Sequence, residues 1–517
     1  MELLLAVLAG IPGQILQVWL WMMEHLLYIN LFLSVAIVFF QRRDPKAVWT
    51  WLLALYFVPI FGFLLYLLLC QDFRKNRMFR VKEVEDRLRC PARAQYIPDR
   101  TAWLCGRGYQ DYEKLMLYNL ETSGAVLTGD NQVDIFTDGE KKFDDLIYEM
   151  EHAREYIHIQ YYIIKNDEVF GRMIPVLKKK AGEGVEVRIL YDGMGGRFMP
   201  KRVWKDLNAW GIRTGEFFPA FLGRLQLRVN YRNHRKIVII DGRAGYVGGF
   251  NVGREYISRD PKFGYWRDTH LKIRGSAVYS LQIRFALDWN YAVKENLFME
   301  GRYFGLGGKS GAGAPAEEAD GRDGASPYIP CSLKGGVAVQ IISSGPDASN
   351  RQIRNNYLQL FNKAKHHIYI QTPYFVPDDA VLSALKMAAE SGVDVRLMIP
   401  CKPDHPFVYW ASYSYVGDLL AVGARCYIYT DGFLHAKGVM TDGLVSCFGT
   451  ANMDIRSFEL NFEVNATIFD AETTRRLEDT FLQDLARCRE VTKELYGQRS
   501  LWIRFKEQCS RLLSPLL

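Results

Sequence analysis

The chain has 517 residues, 49% of them hydrophobic and 24% charged, with a net charge of +7. That length holds two or three domains, and the composition excludes a chain that is disordered, collagen-like or of low complexity throughout. A small basic excess suits anionic lipid or phosphate-ester partners; many ordinary proteins share it, so it excludes little. The nine cysteines are scattered, with no C-x-x-C pair and no Cys/His cluster of zinc spacing. They read as reduced thiols, with no structural disulfide and no metal.

In chain order, the first 22 residues are apolar but contain Glu2 and Pro12-Gly13 and no Lys or Arg. This argues against a cleaved signal peptide and leaves a third span or an interfacial segment. Ala47 to Leu69 is 23 residues without a charge, and a bilayer core needs roughly 20. Leu26 to Phe40 becomes long enough if the span starts near Trp19. Spans over 19–41 and 47–69, joined by QRRDPK (Gln41 to Lys46), predict a transmembrane helical hairpin within a membrane anchor, 1–72. The loop carries Arg42, Arg43 and Lys46. The flank beyond carries Arg74, Lys75, Arg77, Arg80 and Lys82. This bias puts the bulk of the chain in the cytoplasm.

After a connecting segment, 73–130, the sequence repeats itself. GVEVRILYD (Gly184 to Asp192) matches GVDVRLMIP (Gly392 to Pro400), IHIQYY matches IYIQTPY, and NHRKIVIIDG matches LHAKGVMTDG. Strand-like runs alternate with helical ones in both copies, an α/β layer pattern. The copies are placed at 131–300 and 331–490. Between them the Gly/Ala/Ser-rich stretch 301–330 reads as a flexible linker. The early strands are 208 to 212 residues apart but the His motifs only 201. The first copy therefore carries about eleven extra residues, in FFPAFLGRLQLRVNYR, a candidate substrate-facing loop. A helical tail, 491–517, follows; with basic residues among apolar ones, it reads as a packed amphipathic helix or an interfacial one.

The chemistry sits in the repeated H-x-K-x4-D. Read as a strand, it puts His234 and Lys236 on one face, and His435 and Lys437 likewise. Asp241 and Asp442 fall on the other face, at Asp-Gly turns, and are expected to hold backbone rather than touch substrate. Asn251 and Asn452 return beside the motifs. A duplicated fold brings both sets to one two-fold interface. There one His attacks phosphorus, the other protonates the leaving alkoxide, and Lys and Asn stabilise charge on the phosphoryl oxygens. No metal or other cofactor is required. Each His needs an orienting acid. The candidates are Asp268, expected at His234, and Glu463, expected at His435.

These residues resemble the phospholipase D superfamily, most closely its bacterial cardiolipin synthases. The signature H-x-K-x4-D-x6-G-[GS]-x-N is met from His234 to Asn251, and from His435 to Asn452 with Thr450 in place of Ser. YWRDTHLKIRG, YWASYSYVGDLL, GTANMDIRSFELNFEV and the ending RLLSPLL are similar to family segments at the same places. The resemblance implies two phospholipase D-type α/β domains, each a mixed sheet flanked by helices, sharing one pseudo-two-fold active site behind the anchor. It implies that two phosphatidylglycerol molecules yield cardiolipin and glycerol by ping-pong exchange in a bacterial cell membrane, with His234 forming the phosphatidyl intermediate. The rival readings are a phospholipase D that uses water, a transferase with another alcohol, and a silent lipid-binding scaffold. A nuclease would need no hairpin, and no nucleic-acid partner is expected.

Overall fold

The computed structural model describes residues 108–219, 231–304 and 336–514 apart from positions 198, 349, 403, 405 and 513, the helix Pro45–Phe57, and positions 17, 21, 24, 25, 28 and 30–35. Two units are distinguished, 1–78 and 79–517.

In the first unit, Asn30 Nδ2 donates to the Leu55 carbonyl at 3.0 Å, tying the segment around residue 30 to the helix Pro45–Phe57. Several of its apolar side chains point outward, Phe32, Trp49, Tyr56 and Phe57 being exposed, whereas Leu55 is buried. Among the described residues no helix is long and apolar enough to cross a membrane. The expected spans, 19–41 and 47–69, lie largely outside the described residues.

In the second unit the β-branched runs form strands and the helical runs are capped where an Asp precedes them. Asp138, Asp167, Asp378 and Asp470 each accept a backbone N–H of the following first turn. The first copy comprises β1 (Thr128–Phe136), α1 (Gly139–Glu151), β2 (Tyr156–Tyr161), α2 (Glu168–Gly182), β3 (Glu186–Asp192), α3 (Lys201–Ala209), β4 (Arg213–Phe217), β5 (Ile237–Ile240), β6 (Ala244–Gly248), β7 (His270–Arg274) and α4 (Ala277–Val293). The second comprises β8 (Val337–Ser344), α5 (Gln352–Lys363), β9 (His367–Gln371), α6 (Asp379–Glu390), β10 (Asp394–Pro400), α7 (Pro406–Ala421), β11 (Arg425–Tyr429), β12 (Gly438–Thr441), β13 (Val445–Gly449), β14 (Asn461–Phe469) and α8 (Ala471–Leu485), with β15 (Cys488–Val491) at its edge.

All of these strands belong to one mixed sheet, in the order β15-β11-β10-β9-β12-β13-β14-β8-β1-β7-β6-β5-β2-β3-β4. Apart from β15 the order is a palindrome about β8 and β1, which pair antiparallel. The duplication is thus one continuous sheet with a two-fold relation at its centre. Helices cover it, and each copy has its own core. Phe143, Ile159, Met173 and Val238 lie in the first, and Leu360, Ile370, Leu385 and Val439 in the second.

The copies also exchange material. Phe433 of the second copy packs in the first core. The helix Glu113–Ser123, which precedes the first copy, buries Leu115 and Met116 in the second. Gly301–Phe304, read from composition as the start of the linker, instead forms a 3-10 turn. The Tyr303 hydroxyl there donates to Glu186 Oε1 at 2.6 Å. The remainder of the linker, and residues 220–230 of the extra loop, lie outside the described residues.

Candidate active site

The motif loops are placed by two short strand pairings that cross between the copies. Arg232–Asn233 runs parallel to the start of β14, with Asn461 opposite Arg232 and Phe462 opposite Asn233. Phe433–Leu434 runs parallel to Trp266–Arg267. One more backbone bond extends each pair: His234 N–H to the Phe462 carbonyl at 2.9 Å, and His435 N–H to the Arg267 carbonyl at 2.7 Å. Each His therefore sits beside the acid that follows the other copy's strand.

This corrects the expected pairing. His234 Nδ1 bonds Glu463, at 2.9 Å to Oε1 and 3.1 Å to Oε2. His435 Nδ1 bonds Asp268 Oδ2 at 2.6 Å. Nearness in sequence pointed to an acid from the same copy, whereas the parallel crossovers supply it from the opposite one. With Nδ1 spent on a carboxylate, Nε2 of each ring is left for substrate.

The strand reading of the motif needs a second correction. Regular strand begins at Ile237 in the first copy and Gly438 in the second. His234 to Lys236 lie before it, because the preceding residues have left to pair with the other copy. Each Lys turns back on its own loop. Lys236 Nζ donates to the His234 carbonyl at 2.7 Å, and Lys437 Nζ to the His435 carbonyl at 2.5 Å, with His435 Nδ1 at 3.0 Å.

Farther along, Asp241-Gly242 and Asp442-Gly443 have positive φ at all four residues, as a two-residue hairpin turn of mirror-image type requires. Asp241 accepts the backbone N–H groups of Arg154, Glu155 and Tyr156 at 2.8 to 2.9 Å. Asp442 accepts those of Lys365, His366 and His367 at 2.7 to 2.9 Å. Both clamp the hairpin to the loop that starts β2 or β9. A four-residue strand, roughly 13 Å long, separates each from its His.

Asn251 Oδ1 accepts from Ile163 N–H at 3.2 Å and its amide donates to the Tyr256 hydroxyl at 2.9 Å. Asn452 lies buried in the corresponding place, its amide acting on Asp454. Around the rings, Tyr162 stands 5.1 Å from His234 and Trp266 stands 5.0 Å from His435, centroid to centroid.

The electrostatics follow from burial. It lowers both imidazoles to about 4, because the two ammonium groups add to the effect and the carboxylates only partly oppose it. Lys437 acts on His234 as well as on His435, and Lys236 on His435 as well as on His234, so the four groups form one field. Burial also brings Lys236 down to about 7 and Lys437 to about 8, against the pull of Glu463 and Asp268. It works against ionising the two acids, yet Lys437 and His435 hold Asp268 below its ordinary range, and His234 and Lys236 hold Glu463 below its own.

Sequence reasoning missed the supports. Arg235 is fully buried; its guanidinium bonds both oxygens of Asp288 at 2.6 and 2.7 Å, the Glu463 carbonyl at 3.1 Å and Ser343 Oγ at 2.6 Å. On the other side Arg267 reaches across to Asp484, at 2.8 to 3.1 Å. Gln160 bonds Asp288 and Gln371 bonds Asp484, so the two buried acids are equivalent positions. The signal was present as a second charged residue beside a site residue: Arg235 between His234 and Lys236, and Arg267 beside Asp268.

The family model described as "Cardiolipin synthase, PLD-like domain" matches residues 146–261 and 357–485, and "Phospholipase_D-nuclease N-terminal" matches 29–69. A cardiolipin synthase of Listeria innocua is 45% identical over 95% of this chain and 98% of its own length. The major cardiolipin synthase ClsA of Bacillus subtilis is 45% identical over 95% and 97%, and a cardiolipin synthase of Staphylococcus aureus 46% over 95% and 95%. Among solved structures, the phosphatidylserine synthase of Haemophilus influenzae aligns with a TM-score of 0.58 over 78% of this chain and 99% of its own, at 15% identity, a likeness of fold alone. The chain is an enzyme that belongs to the cardiolipin synthase family of the phospholipase D superfamily.

Proposed function

We propose that this enzyme joins two phosphatidylglycerol molecules into cardiolipin and glycerol through a phosphatidyl group carried on His234. The observation that carries the reading is the crossed pair of dyads, His234–Glu463 and His435–Asp268, with Lys236 and Lys437 between them.

In the first half-reaction, neutral His234 attacks phosphorus through Nε2. The bond from phosphorus to the glycerol oxygen breaks, and protonated His435 gives its proton to that oxygen. His435 is neutral in the empty site, but the substrate's negative charge joins Asp268 in favouring its imidazolium. In the second half-reaction a hydroxyl of another phosphatidylglycerol gives its proton to His435 and attacks phosphorus; the phosphorus–nitrogen bond breaks and His234 is restored. Lys236 and Lys437, with Asn251 and Asn452, stabilise charge on the non-bridging oxygens in a site sheltered from water. Asp241 and Asp442 act at a distance, by fixing the hairpins.

The anchor is the helical hairpin of residues 19–41 and 47–69 in the bacterial cell membrane, with the catalytic copies on the cytoplasmic side. Its support is the outward-facing aromatic and aliphatic side chains of the first unit and the bond from Asn30 to Leu55. The test is the product formed from head-group-labelled and acyl-labelled phosphatidylglycerol. Cardiolipin with equimolar glycerol is expected. Phosphatidic acid would mean that water is the acceptor, and no product would mean a silent scaffold.

A further inference from the structure

The last described helix, α9 (Leu501–Leu512), is docked by its polar side. Glu507 and Ser510 are its buried residues. Glu507 accepts from Arg499, and Arg511 donates to Asp418 of α7 at 2.6 Å. Leu501, Trp502, Phe505, Cys509 and Leu512 fall within about 100° of the helix circumference, and this apolar arc faces away from the body. Leu501 is 82% exposed, Trp502 62%, Phe505 58% and Leu512 78%. A helix on the surface of a soluble domain has the opposite arrangement.

Basic residues border the arc. Arg504 lies on one side, and Lys506 lies on the other, its Nζ 5.3 Å from the Trp410 ring and 5.4 Å from the Trp502 ring. Phe407, at the start of α7, is 60% exposed. The same helix α7 turns Tyr409 and Ser412 into a cleft lined also by Tyr374, Lys402 and Asp404. Asp404 accepts from the Tyr374 hydroxyl, and its charge acts on Lys437. One helix therefore carries Phe407 to the outside and, on its inner side, lines a small pocket whose Asp404 acts by charge on Lys437.

We propose that the outer face of α9, with Phe407 and Trp410, docks onto an anionic bilayer surface and holds the catalytic copies against the lipid. Apolar and aromatic side chains bordered by Arg and Lys match the headgroup boundary of such a surface. A second copy of the chain fits poorly, because a two-fold contact through this patch would set Arg504 and Lys506 against their own equivalents. The consequence for turnover rests on the reading that the substrates are lipids; the docking itself does not.

The test uses the full chain reconstituted in vesicles containing phosphatidylglycerol, and the double variant Trp502→Glu, Phe505→Glu. Turnover of long-chain lipid in the vesicles should fall about tenfold or more, while turnover of short-chain phosphatidylglycerol dissolved as monomers, and the thermal midpoint, stay unchanged. Equal losses on both substrates, or none on either, would overturn the proposal. A lower thermal midpoint would overturn it in favour of another segment of this chain packed on the face. A change of oligomeric mass in detergent with vesicle turnover intact would overturn it in favour of a second copy. Quenching of tryptophan emission by brominated lipid reads docking without any turnover. Trp502→Phe should lose part of the quenched emission, and an unchanged quenched fraction would contradict docking. Wild-type enzyme that makes no cardiolipin from either substrate would sink the functional reading and leave the quenching result to decide the docking.

Discussion

The first copy contributes a short acid to the shared site and the second a long one, and each is fitted in its own way. Asp268 reaches His435 across a position where only glycine fits, since a Cβ on Gly249 would stand 1.9 Å from its Oδ1. Its carboxylate is then fixed by Thr269 N–H at 2.7 Å and Trp266 Nε1 at 3.4 Å. Glu463 has one more methylene and is held from the sides. The Thr450 hydroxyl donates to Oε2 at 2.5 Å and Asn461 Nδ2 to Oε1 at 3.2 Å. Thr450 stands where the first copy has Gly249, and Asn461 where it has Trp266. Duplication has kept the outcome, a carboxylate on Nδ1 of each His, while the residues that secure it have diverged. The ion-paired supports diverge too: Arg235 comes from the motif loop of its own copy, whereas Arg267 crosses to Asp484.

The largest effect should come from breaking the pairing of the two copies altogether. His234→Ala should cost roughly a thousandfold or more in turnover, and adding His435→Ala should cost little further, because the two act as a unit. Robust synthesis by either single variant, measured as cardiolipin formed per folded molecule, would mean two independent sites.

The two ways of seating the acid can then be separated. Gly249→Ala drives a methyl into the Asp268 carboxylate and should cost about a hundredfold or more in turnover, as misplaced catalytic groups do. Thr450→Val removes one hydrogen bond to Glu463 and should cost about tenfold. Turnover with thermal unfolding of both variants checks this, and a reversed order would show that the seats are not as described.

Much of this was legible in the chain. The repeated strings gave the duplicated α/β architecture, and the Asp-Gly dipeptides gave hairpin turns whose acids hold backbone. What sequence could not supply was connectivity in space. The crossed acids depend on two dipeptide pairings, Arg232–Asn233 with Asn461–Phe462 and Phe433–Leu434 with Trp266–Arg267. Two-residue strands leave no periodic pattern, and their parallel register is set by the palindromic sheet rather than by local residues. The same pairings pull His234 to Lys236 out of regular strand, so parity counting through the motif started too early.

A pH profile sharpens the comparison of the lysines. kcat/KM reports groups of the free enzyme. His234 must be neutral and His435 protonated in the same step, and both are depressed to about 4, so the free-enzyme profile should peak near there and decline on either side. Lys236, at about 7, should lose its charge before Lys437, at about 8, so the decline that deprotonation of His435 begins should steepen through this range. A profile flat to about pH 9 would contradict these buried ammonium groups.

The smallest effect on chemistry is expected at the hairpin acids, which the two copies use alike. Asp442→Asn weakens a clamp on three backbone N–H groups and should lower stability by about 1–3 kcal/mol, leaving turnover per folded molecule within about threefold of wild type. A variant of unchanged thermal midpoint but without activity would assign Asp442 to the chemistry.

The central claim is that the dyads cross, Glu463 serving the nucleophile His234 and Asp268 serving the acid His435. A phosphatidyl donor whose leaving group is p-nitrophenol tests it most directly, because that group departs without a general acid. The pre-steady-state burst of nitrophenolate, one per active site, counts formation of the phosphatidyl-enzyme. Asp268→Asn should keep a near-normal burst with this donor while losing synthesis from phosphatidylglycerol. Glu463→Gln should lose the burst itself. A normal burst in Glu463→Gln with its loss in Asp268→Asn would contradict the crossed assignment.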